Sequence, residues 1–278
     1  MTDSKIKRGF FYLLVISVLL IALTPFLMML TTALKTNQQS VAYPPVLLPD
    51  PLTLQHVKDV LDPKIFPFFR YFGNSLLVSF VSATISVFIG SFAAYSLTRL
   101  EFPGKRLLNE GFLIVYMFSG ILLVVPLFQI ISGLGLYDNR LALILAYLVT
   151  TMPAAIYMLR SYFETIPLSL EEAAMIDGLD RFRVILQIVM PLSIPAIMSV
   201  FAFVFMISWN DFLFATTLMS SPENMTLTIG LRQLFSSKDY VWGRMMAASL
   251  FTAIPVIVMF SMTEKFITGG RMTGGVKE

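Results

Sequence analysis

The 278-residue sequence contains no cysteine and a single histidine, and only 13% of its residues are charged. Without cysteine there is no disulfide framework and no thiolate nucleophile or metal ligand. One histidine excludes the usual zinc sites, which need several His or Cys ligands, and argues against a Ser-His-Asp triad. His56 stands in a polar stretch and reads as a solvated surface residue. Soluble domains carry about 25% charged residues, so the deficit in charge points away from a soluble globular chain. There is no G-x-x-x-x-G-K-[ST] loop to hold a nucleotide, and no internal repeat or separate soluble domain.

What the chain has instead is hydrocarbon. Hydrophobic residues make up 56% of it, the mean hydropathy is +0.78, and the apolar residues fall in blocks. A helix of about 20 apolar residues spans a bilayer. Six such spans are drawn here, over residues 10–34, 72–98, 107–131, 141–159, 192–217 and 245–266. The first follows Lys5, Lys7 and Arg8 like a signal peptide, but its run exceeds an h-region of about 7–15 residues, so it reads as a retained span. The fold expected is an all-α polytopic membrane protein: one transmembrane domain over 1–278, with outer loops at 35–71 and 218–244, an inner loop at 161–191 and a tail at 267–278.

Twelve of the 20 Lys and Arg residues fall in the N-terminal arm, the second and fourth connections and the C-terminal tail. Those segments therefore share the cytoplasmic side, and both termini with them. In the first outer loop, Thr53 is placed to cap a short helix with Leu54, Val57 and Leu61 on its apolar face. No charged residue lies in the middle of a span; Asp211, about 28 Å along a helix from Leu192, falls near the outer interface. Ion-coupled carriers usually keep carboxylates or histidines within the membrane. A self-sufficient carrier or channel for a small polar solute is thus the weaker reading, and a partner that supplies energy the stronger.

The second span carries Ser82, Ser86, Gly90 and Ala94 at four-residue spacing, a face of small side chains that a second helix can approach closely, within this subunit or from another. Neutral polar and aromatic side chains in or beside the spans are the candidates for a solute pathway: Asn74, Tyr95, Tyr116, Ser119, Gln129 and Asn210. They equally suit helix–helix contacts.

The acidic segment "EEAAMIDGLD", Glu171 to Asp180, interrupts this pattern. Ser169 and Glu172 match a capping box. Gly178 suits the left-handed turn that stops a helix, and Asp180 can cap the next one, with Phe182, Ile185, Ile188 and Val189 facing inward before Pro191 opens the fifth span. The residues describe a helix–glycine–helix elbow, which is either a connector or a docking knob.

Glu172-Ala173-Ala174, Gly178 and Ile188-Val189-Met190-Pro191 resemble the EAA motif of ABC importer permeases, with Met190 in place of the usual leucine. "SWNDFLFA", "LTIGLRQLF" and "EKFITGGRMTGGVKE" are similar to segments of the carbohydrate branch, the maltose-type permeases, and the likeness runs from about Tyr71 to Lys277. The resemblance implies a type I ABC importer permease fold in a bacterial or archaeal cell membrane, with no catalytic residues and no metal site. It implies a second permease subunit as heterodimer partner, two copies of a cytoplasmic ATPase that bind ATP and Mg, an extracytoplasmic solute-binding protein and surrounding lipid, but no nucleic acid. Glu171, Glu172, Ala173, Ala174, Met175, Asp177, Gly178 and Pro191 would then couple to the ATPase. Gly270, Arg271, Gly274, Gly275 and Lys277 would form a tail reaching it, and Ser221 and Asn224 would meet the binding protein.

Overall fold

The fold was analysed from a computed structural model that describes the backbone of residues 2–236 and 241–273 and the side chains of residues 8–235 and 241–266. Among the described residues every regular element is helical: α1 (Thr2–Ala33), α2 (Asn37–Ser40), α3 (Gln55–Leu61), α4 (Phe68–Arg99), α5 (Lys105–Met117), α6 (Gly120–Gly133), α7 (Arg140–Phe163), α8 (Leu168–Ile176), α9 (Arg181–Val184), a π-helical turn (Ile185–Val189), α10 (Met190–Leu192), α11 (Ile194–Asn210), α12 (Leu213–Leu218), α13 (Leu227–Ser236) and α14 (Trp242–Thr273). Four helices are long and apolar enough to cross a membrane: α1, α4, α7 and α14. Two helix pairs pass the same test only when taken together, each sharply bent at the break, and the count reaches six if each bent pair is one span.

The third expected span, 107–131, is one of these: α5 and α6 meet at 105° around Phe118 and Ser119. The fifth bends by 80° at Ser193, between the stretch Arg181–Leu192 and α11, and ends at Asn210 instead of Thr217. Pro195 sits in the first turn of α11, where its missing N–H costs nothing. Asp211 accepts hydrogen bonds from the Phe214 and Ala215 amides and starts the separate helix α12. α14 runs on past Phe266 to Thr273, through Gly269 and Gly270.

The chain divides into two compact units, Met1–Phe69 with Gly230–Ile254, and Arg70–Ile229 with Pro255–Glu278. In the first unit, α3 buries His56, Asp59 and Val60 rather than the apolar face drawn from the sequence; Leu54 is 53% exposed. Thr53 accepts from the Gln55 amide, but the residue at the helix start is Leu54, which makes no side-chain cap. Polar anchors decide which face turns in. The Arg244 guanidinium donates to Asp59 at 2.9 Å, and His56 is only 3% exposed, with its ring against Gly243. The lone histidine is therefore a core residue and not a solvated one.

The second unit is built around α7. Ala142, Leu143, Ala146 and Tyr147 are buried against α6, α12 and Val78 of α4. The small-residue face of α4 packs within the subunit: Ser86 Oγ lies 3.1 Å from Thr151 Oγ1, and a Cβ at Gly90 would stand 3.5 Å from that of Ala155. That close approach is what the four-residue repeat provides.

Candidate functional site: the elbow between α7 and α11

The elbow is assembled by local rules. Pro167 is extended and stands immediately before α8, so the helix begins at Leu168. Ser169 is already inside the first turn, and the expected capping box with Glu172 does not form. At the other end, the Gly178 amide donates to the Met175 carbonyl and the Leu179 amide to the Ala174 carbonyl, both at 3.1 Å. This Schellman arrangement requires a left-handed residue, and Gly178 supplies it with φ +92°. Asp180 then accepts from the Arg183 amide at 2.8 Å and starts α9.

Beyond α9 the chain makes a π turn over Ile185–Val189. A π turn absorbs an extra residue in one wide turn. Val184, Ile185 and Val189 are buried, while Phe182 is 59% exposed and stacks on Phe92 of α4 at 5.7 Å. Of the inward set read from the sequence, Ile185 and Val189 are buried and Ile188 is half-buried, while Phe182 is not.

α8 has two distinct faces. Leu168, Leu170, Glu172, Ala173, Met175, Ile176, Asp177 and Gly178 are exposed, Ile176 at 86%. Glu171 and Ala174 are buried, and Glu171 is 1% exposed. The Glu171 carboxylate accepts from Arg99 Nε at 2.7 Å and from the Tyr95 hydroxyl at 2.9 Å. Arg99 Nη2 donates to the carbonyls of Phe163, at 3.0 Å, and Ile166, at 2.7 Å. A basic side chain closing free carbonyls at a helix C-terminus is favourable. Here the same guanidinium also compensates a buried carboxylate. Glu171 therefore does not share the outward surface with Glu172, and Tyr95 is buried in this cluster.

Residues 86–267, including the whole elbow, match the family described as the inner membrane component of binding-protein-dependent transport systems. The chain belongs to this family. It is a transmembrane permease component, not a catalytic subunit. The permease is 52% identical over 259 residues, 93% of its length and 92% of the relative's, to the inner membrane ABC transporter permease protein YcjP of Escherichia coli strain K12. It is 34% identical over 284 residues to the trehalose/maltose transport system permease protein MalG of Thermococcus litoralis, covering 100% of this chain and 99% of that one. Its fold superposes with a TM-score of 0.81, at 21% identity and with 95% and 98% coverage, on a chain of a bacterial ABC transporter involved in the import of the acidic polysaccharide alginate.

The permease separates the other expected positions. Asn74 is buried, donating to the Glu223 and Met225 carbonyls and accepting from Arg140, so it ties a loop. Tyr116 is half-exposed and stacks with Tyr157 at 6.5 Å; Gln129 and Asn210 are exposed. Ser119, at the α5/α6 break, lines a cavity of about 390 Å³ together with Tyr147, Thr150 and Asp211, three residues that the sequence reading did not select. Tyr147 donates to Asp211 at 2.9 Å across that cavity's wall.

Ser221 and Asn224 are engaged inside the permease. Asp138, at φ 58°, accepts from the Ser220 and Ser221 amides at 2.9 and 3.0 Å, while Asn224 Nδ2 donates to the Asp138 carbonyl. Burial raises the Asp138 pKa, but the amide and side-chain donors from Ser220, Ser221 and Asn224 outweigh it and hold the carboxyl below its usual value. The exposed residues of this loop are Ser220, Pro222 and Glu223. Gly274, Gly275 and Lys277 lie outside the described residues, and Gly270 and Arg271 are described only as backbone at the end of α14.

Proposed function

We propose that this permease forms half of the translocation pathway for a sugar or sugar-like solute and is driven by a cytoplasmic ATPase whose groove receives α8. The observation that carries this reading is the outward face of α8, where Ala173, Met175 and Ile176 stand exposed on a helix held rigidly from behind by Glu171 and Gly178. Small and apolar side chains on a projecting helix suit insertion into a groove, and Glu172 adds a charge at its edge. The relatives named for trehalose and maltose transport support the choice of solute class.

In this reading both termini and the elbow are cytoplasmic. A second permease completes the pathway, two ATPase copies bind ATP and Mg, and the Ser220–Asn224 loop faces an extracytoplasmic binding protein. The tail from Gly270 reaches toward the ATPase. Tyr116, Ser119, Gln129 and Asn210 remain the pathway candidates.

The test is to purify the permease with its co-expressed partners and to replace Ala173 and Ile176 by arginine. Both side chains are exposed, so insertion into the membrane is expected to persist while the ATPase is lost from the complex. Stoichiometric ATPase bound to the doubly substituted permease would sink the reading.

A further inference from the structure

Successive residues of an α-helix point about 100° apart, so two adjacent glutamates need not share a face. Here Glu172 faces out and Glu171 in. A carboxylate taken out of water is costly unless it is paired and hydrogen-bonded. Among the described residues, Glu171 meets that condition through α4, with Arg99 at 2.7 Å and Tyr95 at 2.9 Å. These two lie one helical turn apart on one face of α4. The Arg99 fork then reaches Phe163, the last residue of α7, and Ile166 in the link to α8. One guanidinium therefore joins the end of α4, the end of α7 and the start of α8.

On the C-terminal side of α8 the covalent route into the membrane is different in kind. It passes Gly178, a π turn and the 80° bend at Ser193 before α11 begins. A jointed path of this sort can absorb displacement. The Arg99 node has no joint: its contacts are short, mostly buried, and made by a planar side chain with fixed donor directions. α4 is in turn packed closely on α7 through Ser86 and Gly90.

We propose that Arg99 and Tyr95 are positioning residues that, through Glu171, carry the displacement of α8 into α4, so that the α4–α7 pair moves with the elbow. The proposal rests on α8 being the seat of the ATPase. A pin that served only to fold the loop would leave nucleotide-driven motion of α4 unaffected once the loop is otherwise intact.

The experiment compares hydrogen–deuterium exchange in the full complex of permease, partner permease and ATPase, with and without a non-hydrolysable ATP analogue. The variant is the double substitution Arg99→Gln with Glu171→Gln, which leaves no uncompensated buried charge. In the unsubstituted complex the analogue is expected to change exchange both in α8 and in residues 91–99 of α4. In the double variant the response of α8 persists and that of α4 is lost. An undiminished α4 response in the assembled double variant overturns the proposal. Should that variant not assemble, Arg99→Lys takes its place, keeping the charge while losing the fork, and the same two outcomes decide. If α8 of the unsubstituted complex does not respond to nucleotide at all, it is the docking reading that fails.

Discussion

The ring of His56 occupies the space in which a side chain at position 243 would begin: a Cβ added to Gly243 would lie 2.1 Å from His56 Cδ2 and 2.7 Å from Cγ. The ring is buried, and even its root at Cγ would stand 2.7 Å away, so turning the ring in place does not clear the clash. Gly243→Ala is expected to destabilise the protein by about 1–3 kcal/mol, the usual cost of overpacking. Thermal unfolding in detergent measures it. The double variant Gly243→Ala with His56→Ala should recover part of the loss, since the two changes share one volume.

Burial also lowers the pKa of His56 below its ordinary value of 6.5, more than Asp59 raises it, and Arg244 adds to the lowering. The folded state thus favours the neutral ring. Stability is full above about pH 6.5 and falls as the pH drops below it, because the unfolded chain takes up the proton more readily. The unfolding midpoint of the unsubstituted protein should be level from pH 8 to 7 and decline toward pH 5. His56→Gln should be less stable at pH 8 and show a weaker decline; equal slopes for the two proteins would assign the pH dependence elsewhere.

Gly178 is constrained by its backbone alone, since nothing lies within 4 Å of where its Cβ would be. Substitution costs what a positive φ costs a residue with a side chain, about 1–2 kcal/mol, and least for asparagine. Gly178→Asn should keep the ATPase in the purified complex, whereas Gly178→Val should lose it while still inserting. Equal retention by both variants would show that the turn does not set the elbow.

The Asp138 carboxylate does for the Ser220–Asn224 loop what a cap does for a helix, taking two adjacent amides. Asp138→Asn keeps an acceptor and tolerates φ 58°, so it should change little. Asp138→Ala should open the loop at a cost of about 1–2 kcal/mol and expose it to protease. Because the Asp138 pKa is lowered, its contribution is present above about pH 4 and is lost only as the pH falls through the lowered value. The loop should therefore cleave at the same rate from pH 5 to 8, in contrast to the unit that holds His56.

The parts of the elbow legible in the sequence were those fixed by near neighbours. Gly178 and Asp180 punctuate the chain within a few residues of the bonds they make, and both stand where the pattern put them. Glu171 was not legible in the same way. Which of two adjacent glutamates turns inward depends on Arg99 and Tyr95, more than seventy residues earlier in the chain. The apparent capping box at Ser169 failed because Pro167 had already started the helix. The two bent helix pairs were read as continuous spans because hydropathy reports that a segment is apolar, not that it is straight. His56 looked like a loop residue because the glycine that accommodates it is remote in sequence.

The π turn at Ile185–Val189 has a bearing on how such a chain can vary over generations. A π turn is one residue of surplus held inside a helix. Because one wide turn absorbs that residue, deleting it would restore an ordinary helix and leave the two flanks facing nearly the directions they face now. The phase between the elbow and the helix that follows is thus buffered against one inserted amino acid. Loss of a single codon there would tighten one turn and leave the exposed face of α8 with its present aim, whereas the same loss in an ordinary stretch of helix would turn its flanks by about 100° against each other.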